Sequence, residues 1–198
     1  MRYEADHKAK TRELVLGATA KEIRAHGPHQ ISVASVMKQA GLTHGGFYAH
    51  FRSKAALVTA AIEHMFDAAR DRWVHATLDR SAEAGLDAYV DWYLSAAHRD
   101  SDAHGCPIAA LAGDMPRLPA ASRNAFAAGT RRMVGLLSAQ MARLGIEPAD
   151  ESATALVCEL MGALAMARCE PDRKRSDAML VAARRRVKRR FSLAGPRS

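Results

Sequence analysis

Between Thr43 and Lys54 the chain concentrates hydrogen-bonding side chains around two adjacent glycines, in the order Thr43-His44-Gly45-Gly46-Phe47-Tyr48-Ala49-His50-Phe51-Arg52-Ser53-Lys54. Hydroxyl, imidazole and ammonium groups donate to phosphate oxygens and to base edges. Each glycine costs about 0.5–1 kcal/mol against alanine inside a helix. Two in succession therefore read as clearance for a helix pressed against an outside surface, such as the floor of a DNA major groove. In this reading Thr43, His44, Gly45 and Gly46 face base edges. Tyr48 and His50 reach phosphates from the side, and Lys54 adds its charge to the N–H groups opening the next helix.

The elements that must hold these groups are legible around them. Ser32 is a good N-cap for a short helix whose inner face carries Val33, Val36 and Met37. Ser32 and Val33, where that helix begins, are also counted in the candidate DNA-facing set. Gly41 suits the left-handed residue just past a helix end. Thr43 then caps a second helix over about 44–50, and Ser53 a third. Phe47 and Phe51, four apart, fix the second helix through packing with Leu42, since a helix this short does not stand alone. Two helices joined by a short Gly-containing turn are the sequence sign of a DNA-binding helix-turn-helix.

The rest of the chain reads as helical. It has 198 residues, 48% hydrophobic and 25% charged, with Ala/Leu/Met/Arg-rich stretches and no β-type alternation. Expected helices cover about 8–26, 54–78, 85–99, 107–113, 120–144, 151–168 and 172–191, with residues 1–7 disordered. The expected class is all-α: a three-helix N-terminal helix-turn-helix domain (1–53) and a larger C-terminal helical domain for ligand binding and dimerisation (54–198). No apolar run approaches the roughly 18 residues of a membrane span, and the N-terminus is polar, so the expectation is a cytoplasmic protein without membrane contact.

Charge is unevenly spread. Residues 1–60 carry a balance of +5, residues 61–170 of −5 and residues 171–198 of +8. A basic N-terminal unit ahead of an acidic middle suits one domain facing phosphates and another facing something else. The C-terminal run RRRVKRR reads as a solvated helix face. Cys106, Cys158 and Cys169 have no metal-ligand spacing. Cys158 and Cys169 read as packing residues; Cys106 does so first as well, but it falls near a helix start, a position that can activate a thiol. No nucleophile–base pair, HExxH helix or phosphate-binding glycine loop is present, and an isolated Asp87, Asp91 or Glu159 is no mechanism, so an enzyme is not expected and no cofactor or metal is implied.

Beyond the helix-turn-helix, Phe66, Trp73, Tyr89, Trp92 and Tyr93 form an aromatic concentration. With Cys106, Met115, Phe126 and Met133 they are candidates to line an apolar ligand cavity, although core filling explains them as well. The helix over 151–168 is apolar on more than one side, which calls for a second packing partner. Leu156, Leu160, Ala163 and Leu164, with Met179 and Ala182 on the last helix, are the candidate dimer contacts.

The stretch from Thr11 to Ile62 resembles the DNA-binding domain of TetR-family transcriptional repressors, through Tyr48-Ala49-His50-Phe51, Ser53-Lys54 and Leu57. By that resemblance Tyr48, His50 and Lys54 match phosphate-contacting positions, Phe47 and Phe51 core positions, and Thr43, His44 and Gly46 variable base-reading positions. It implies a homodimer on a palindromic double-stranded operator, released by a small-molecule effector. The alternatives are a helix-turn-helix protein without an effector and a thiol redox sensor through Cys106.

Overall fold

The computed structural model describes residues 2–101 and 104–193, excepting the side chains of residues 2–5 and 44. The described chain is all-α, with no strand. Its helices are α1 (Arg2–His26), α2 (Val33–Gln39), α3 (Lys54–Thr77), α4 (Ala82–Tyr93), α5 (Ala96–Arg99), α6 (Pro107–Leu111), α7 (Ala120–Arg143), α8 (Ala149–Cys169) and α9 (Arg173–Arg190), with 3-10 turns at Pro28–Gln30, His44–Ala49 and Met115–Arg117. Helix α1 already runs from Arg2, so the segment before Lys8 is helical where disorder is the sequence expectation.

The chain packs as two compact units that interleave in sequence. One comprises Met1–Ala68 and Asp102–Gly129, the other Ala69–Ser101 and Thr130–Ser198. Helices α3 and α7 contribute residues to both.

The first unit buries Val15, Ile23, Val36, Met37, Phe47, Leu57, Ile62 and Phe66 from its N-terminal part, together with Ile108 and Leu111 of α6. Thr19 is fully buried as well, at no polar cost, because its hydroxyl donates to the Val15 carbonyl at 2.7 Å. Later chain is tied in at two points. The Arg24 Nε donates to the Gly105 carbonyl at 3.2 Å, and Phe66 meets Phe126 edge-on with ring centroids 5.6 Å apart. Gly129 makes room for that ring, since a Cβ there would fall inside contact distance of Phe66.

In the second unit the expected helix over 85–99 is broken. Helix α4 ends at Tyr93, and Ser95 caps the single turn α5 by accepting from the His98 N–H at 3.1 Å. A serine that can close one helix and cap another overrides the apolar periodicity. The break turns His98 inward, where it stacks on Trp92 at 4.3 Å and its Nδ1 lies 2.7 Å from the Tyr93 carbonyl. Trp73, Tyr89, Trp92 and Tyr93 form one contiguous cluster, with Trp73 and Tyr89 4.8 Å apart.

The C-terminal arginines are not a purely solvated face. Lys188 bridges Asp87 and Asp91 of α4 at 2.8 Å each, Arg184 approaches Asp91 at 3.6 Å, and Arg186 and Arg190 reach Glu159 of α8. Burial pulls the Lys188 ammonium down, but the bonds to Asp87 and Asp91 outweigh it and hold its pKa above the ordinary value. The carboxylates that seemed isolated in sequence are thus the partners of α9. Buried Arg99 donates to Asp100, Ser176 and Asp177. The bonds from Arg99 and from Arg173 hold the Asp100 carboxyl well below the usual carboxylate range.

Helix α8 departs from expectation twice. By length and composition it is apolar enough to cross a membrane, with mean hydropathy 1.3. Its actual packing is lateral, against α9, α4 and α5. One stripe, Ala153, Leu156, Leu160, Leu164 and Ala167, is buried inside the chain. Cys158 and Cys169, expected to be packing residues, lie on the exposed side.

Candidate nucleic-acid interface

The interface is assembled by local signals. Ser32 Oγ accepts from the Ser35 N–H at 3.3 Å and starts α2. At the other end Gly41 takes φ +73°, with Leu42 N–H donating to the Met37 carbonyl at 2.9 Å and Gly41 N–H to the Lys38 carbonyl at 3.1 Å. This nested pair satisfies the last carbonyls of α2, and only a residue tolerant of the left-handed region serves at position 41. Val33 is half-buried and Ser32 is exposed.

The element that follows is a 3-10 helix, His44–Ala49, where an α-helix was expected. The physical reasons are in the sequence. Six residues offer little helical hydrogen bonding, Gly45 and Gly46 weaken what there is, and Thr43 makes no side-chain cap bond. Bonds of the tighter kind close it, from Gly46 N–H to the Thr43 carbonyl (3.1 Å) and from His50 N–H to the Phe47 carbonyl (3.0 Å). Thr43 and Gly45 are exposed. His44 opens the turn; its side chain lies outside the described ones.

Neither glycine is required by the protein's own packing. A Cβ at Gly45 would meet open space, and one at Gly46 would sit 3.7 Å from the Met37 methyl, an ordinary contact. Nor does either have the positive φ seen at Gly41. The turn therefore has room for close approach by something outside the chain.

Around this turn the aromatic and basic groups converge. Phe47 is buried and stacks with Phe51 at 5.9 Å, while Tyr48, 71% exposed, leans edge-on against Phe47 at 5.1 Å. The Arg12 guanidinium of α1 lies over the other aromatic, 4.7 Å from the Phe51 ring centre. Arg12 Nη1 and His50 Nδ1 are both shielded from solvent and have no hydrogen-bond partner. Burial, then the nearby charges of Lys8 and Arg12, lower the pKa of His50 below 6.5. A shielded guanidinium N–H and a shielded ring nitrogen left without partners are costly, and the two cations oppose protonation of the ring. An anion brought to this spot would relieve both terms. Arg12 therefore joins the candidate site; its convergence with His50 at Phe51 is visible only in three dimensions.

Lys54 opens α3 behind Ser53, whose Oγ accepts from the Ala56 N–H at 3.1 Å. The Lys54 ammonium donates to the His29 carbonyl at 3.0 Å and is otherwise exposed.

The candidate ligand residues divide between the units. Phe66, Cys106, Met115 and Phe126 belong to the first, Trp73, Tyr89, Trp92, Tyr93 and Met133 to the second. Among the first set only Phe66 and Phe126 form a ring pair. Cys106 is half-buried and starts α6.

The candidate dimer residues are corrected. Leu156, Leu160 and Leu164 are at most 1% exposed within the chain itself, so they face its own core and offer nothing to a partner. Ala163 and Met179 are half-buried and Ala182 is exposed. The apolar surface that α8 does present is Ala155, Cys158, Gly162, Ala165, Met166 and Cys169, with Met166 58% exposed.

Comparison with known proteins bears on the family and the fold. Residues 15–61 match the family model of bacterial regulatory proteins of the tetR family. Residues 82–185 match the model of the C-terminal domain of LmrA/YxaF-like transcriptional regulators. No curated protein sequence matches the chain. Among solved structures, the reduced form of NemR from Escherichia coli superposes with a TM-score of 0.79 at 24% identity, covering 91% of this chain and 97% of that one. A TetR-family transcriptional regulator from Agrobacterium tumefaciens gives 0.78 at 22%, covering 92% and 98%. A TetR transcriptional regulator from Chloroflexus aurantiacus gives 0.77 at 23%, covering 97% of both. At these identities the superpositions speak for the fold.

Proposed function

Since the chain belongs to the TetR family of bacterial regulatory proteins and is a DNA-binding transcriptional regulator, we propose that it acts in the cytoplasm as a homodimeric repressor of a palindromic operator, released by a small apolar or aromatic effector. Family and fold are those of transcriptional regulators, which are not enzymes. The observation that carries the proposal is the convergence of Arg12 and His50, each with a shielded, unpartnered nitrogen, beside the exposed Tyr48 and a glycine turn with clearance. In the proposed complex Tyr48, His50, Arg12 and Lys54 hold phosphates, whereas Thr43 and His44 read bases over Gly45 and Gly46.

A single unit of this size binds weakly, and two recognition elements about 34 Å apart enter successive major grooves on one face of B-DNA. The exposed apolar side of α8 is the natural dimer surface. Its Ala155, Gly162 and Ala165 allow close helix approach, while Met166 fills the space beside them. In this reading the aromatic cluster of the second unit, whose rings now pack on one another, is where an aromatic effector would insert. A coupling of about 1–3 kcal/mol suffices for a 5–150-fold change in operator affinity.

The test is selection of bound duplexes from a random pool, followed by anisotropy titration and light scattering. A palindromic site with half-sites about one helical turn apart, bound by two chains, is the expected result. Affinity indifferent to sequence would remove the repressor reading, and a monomer on DNA would remove the dimer.

A further inference from the structure

A cavity of about 390 Å³ lies within the first unit, between the start of α3, the 3-10 turn at Pro28–Gln30 and the segment entering α7. Three of its lining residues are basic, Lys54, His29 and Arg117, and none is acidic. Its remaining walls include the apolar Pro28, Val58 and Leu118. Neither long cation is spent. The Lys54 ammonium donates to the His29 carbonyl and keeps two further protons; Arg117 Nη1 donates to the Gly113 carbonyl at 3.0 Å, which leaves most of the guanidinium fork available. Neither has a carboxylate partner among the described residues. The positive end of α3, a helix of 24 residues, adds to the same potential.

We propose that this cavity is a binding site for a small organic anion, a phosphate or carboxylate carried on an apolar body, with Arg117 and Lys54 on the charge and Pro28, Val58 and Leu118 against the body. The volume is that of a small-molecule site, larger than one oxyanion fills. Arg117 supplies a planar fork suited to either oxyanion, and Lys54 a point charge. A backbone phosphate of DNA shares the oxyanion chemistry and is the other source to separate. Because Lys54 is also a proposed operator contact, an anion held here competes with DNA for it. That consequence rests on the repressor reading; the binding itself does not.

The test uses the full chain at constant ionic strength, with inorganic phosphate, phenyl phosphate and chloride as probes in thermal-shift and calorimetric titrations without DNA. A saturable stabilisation by phosphate, tighter for phenyl phosphate and absent with chloride, is expected. Arg117→Ala should weaken it about tenfold, the loss typical of one charge-assisted bond, and Arg117→Lys should restore part. Equal responses to phosphate and chloride, or undiminished binding by Arg117→Ala, would overturn the site. In the DNA arm, phenyl phosphate should weaken duplex binding by the wild type and not by Arg117→Ala. If Arg117→Ala instead weakens DNA binding in chloride while no phosphate binds the free protein, the oxyanion is the operator backbone and the small-anion proposal fails. Phosphate binding with no DNA binding under any condition would leave this site standing and sink the repressor.

Discussion

Replacing Arg12 by alanine should cost the protein little stability and much of its grip on DNA. In the free chain the guanidinium gains a cation–π contact with Phe51 at 4.7 Å, worth about 0.5–1 kcal/mol when partly exposed. Against that, its shielded Nη1 has no partner, a deficit of about 1–3 kcal/mol, and its charge opposes protonation of His50. The deficit equals or exceeds the gain, so the melting temperature of Arg12→Ala should fall by no more than about 3 °C and can rise. On DNA the balance changes, because a phosphate satisfies the orphan donor. A charge-assisted bond of about 1.5–3 kcal/mol per subunit corresponds to a loss of about 10- to 150-fold for each site. Counterion release gives a second, independent reading: the slope of log K against log salt should fall by about 0.9 for each phosphate contact removed, hence by about 2 in a dimer. Anisotropy titrations across about 50–200 mM salt measure both quantities. The loss should be the same for operator and random duplex. An unchanged salt slope together with a melting temperature lowered by about 8 °C or more would show that Arg12 is a packing residue on Phe51, and the phosphate assignment would be wrong.

Other outcomes follow from single features. His50 has a lowered folded-state pKa, so its contribution to stability is present above the unfolded value of 6.5 and lost as pH falls through the folded one, whereas a bound phosphate favours the imidazolium. Acidification from about pH 7.5 to 6 should therefore destabilise the free chain and tighten DNA binding, and His50→Gln should abolish both trends; parallel trends in wild type would exclude the assignment. On α8, Met166→Glu should yield folded monomers in ultracentrifugation while Leu160→Glu should fail to fold; a dimeric Met166→Glu would move the interface elsewhere. Gly129→Ala should lower the melting temperature by about 5 °C or more, since the added methyl meets the Phe66 ring, and an unchanged melt would mean that α7 yields freely there.

What the sequence disclosed and what it hid divide along a physical line. Features decided within a few residues were legible: the Ser32 cap, the left-handed Gly41, the Ser53 cap, and the Phe47/Phe51 pair that fixes the turn between them. Features decided by distant partners were not. Nothing local distinguishes Leu160, turned into the chain's own core, from Met166, turned out of it, on a helix apolar nearly all round. Periodicity carried the 85–99 helix through Leu94 because it does not weigh the hydroxyl of Ser95 against the next turn. The arginines of α9 read as a solvated face until Asp87, Asp91 and Glu159 were brought opposite them. The 3-10 form of the recognition turn lies between these cases: two glycines and an idle cap announced weakness, and packing decided the form it took.

The interleaving of the two units bears on how the protein is made. Arg24 waits for the carbonyl of Gly105, and Phe66 for Gly129, so the DNA-facing unit lacks part of its own walls until the chain has passed residue 129. At about 5–20 residues per second a ribosome needs several seconds more, after Phe66 has been added, to supply that closing segment. During that interval the nascent helix-turn-helix rests on an unfinished scaffold. A chain built this way completes its DNA-facing unit only after about two thirds of it has been made, while the larger part of the second unit is still to come.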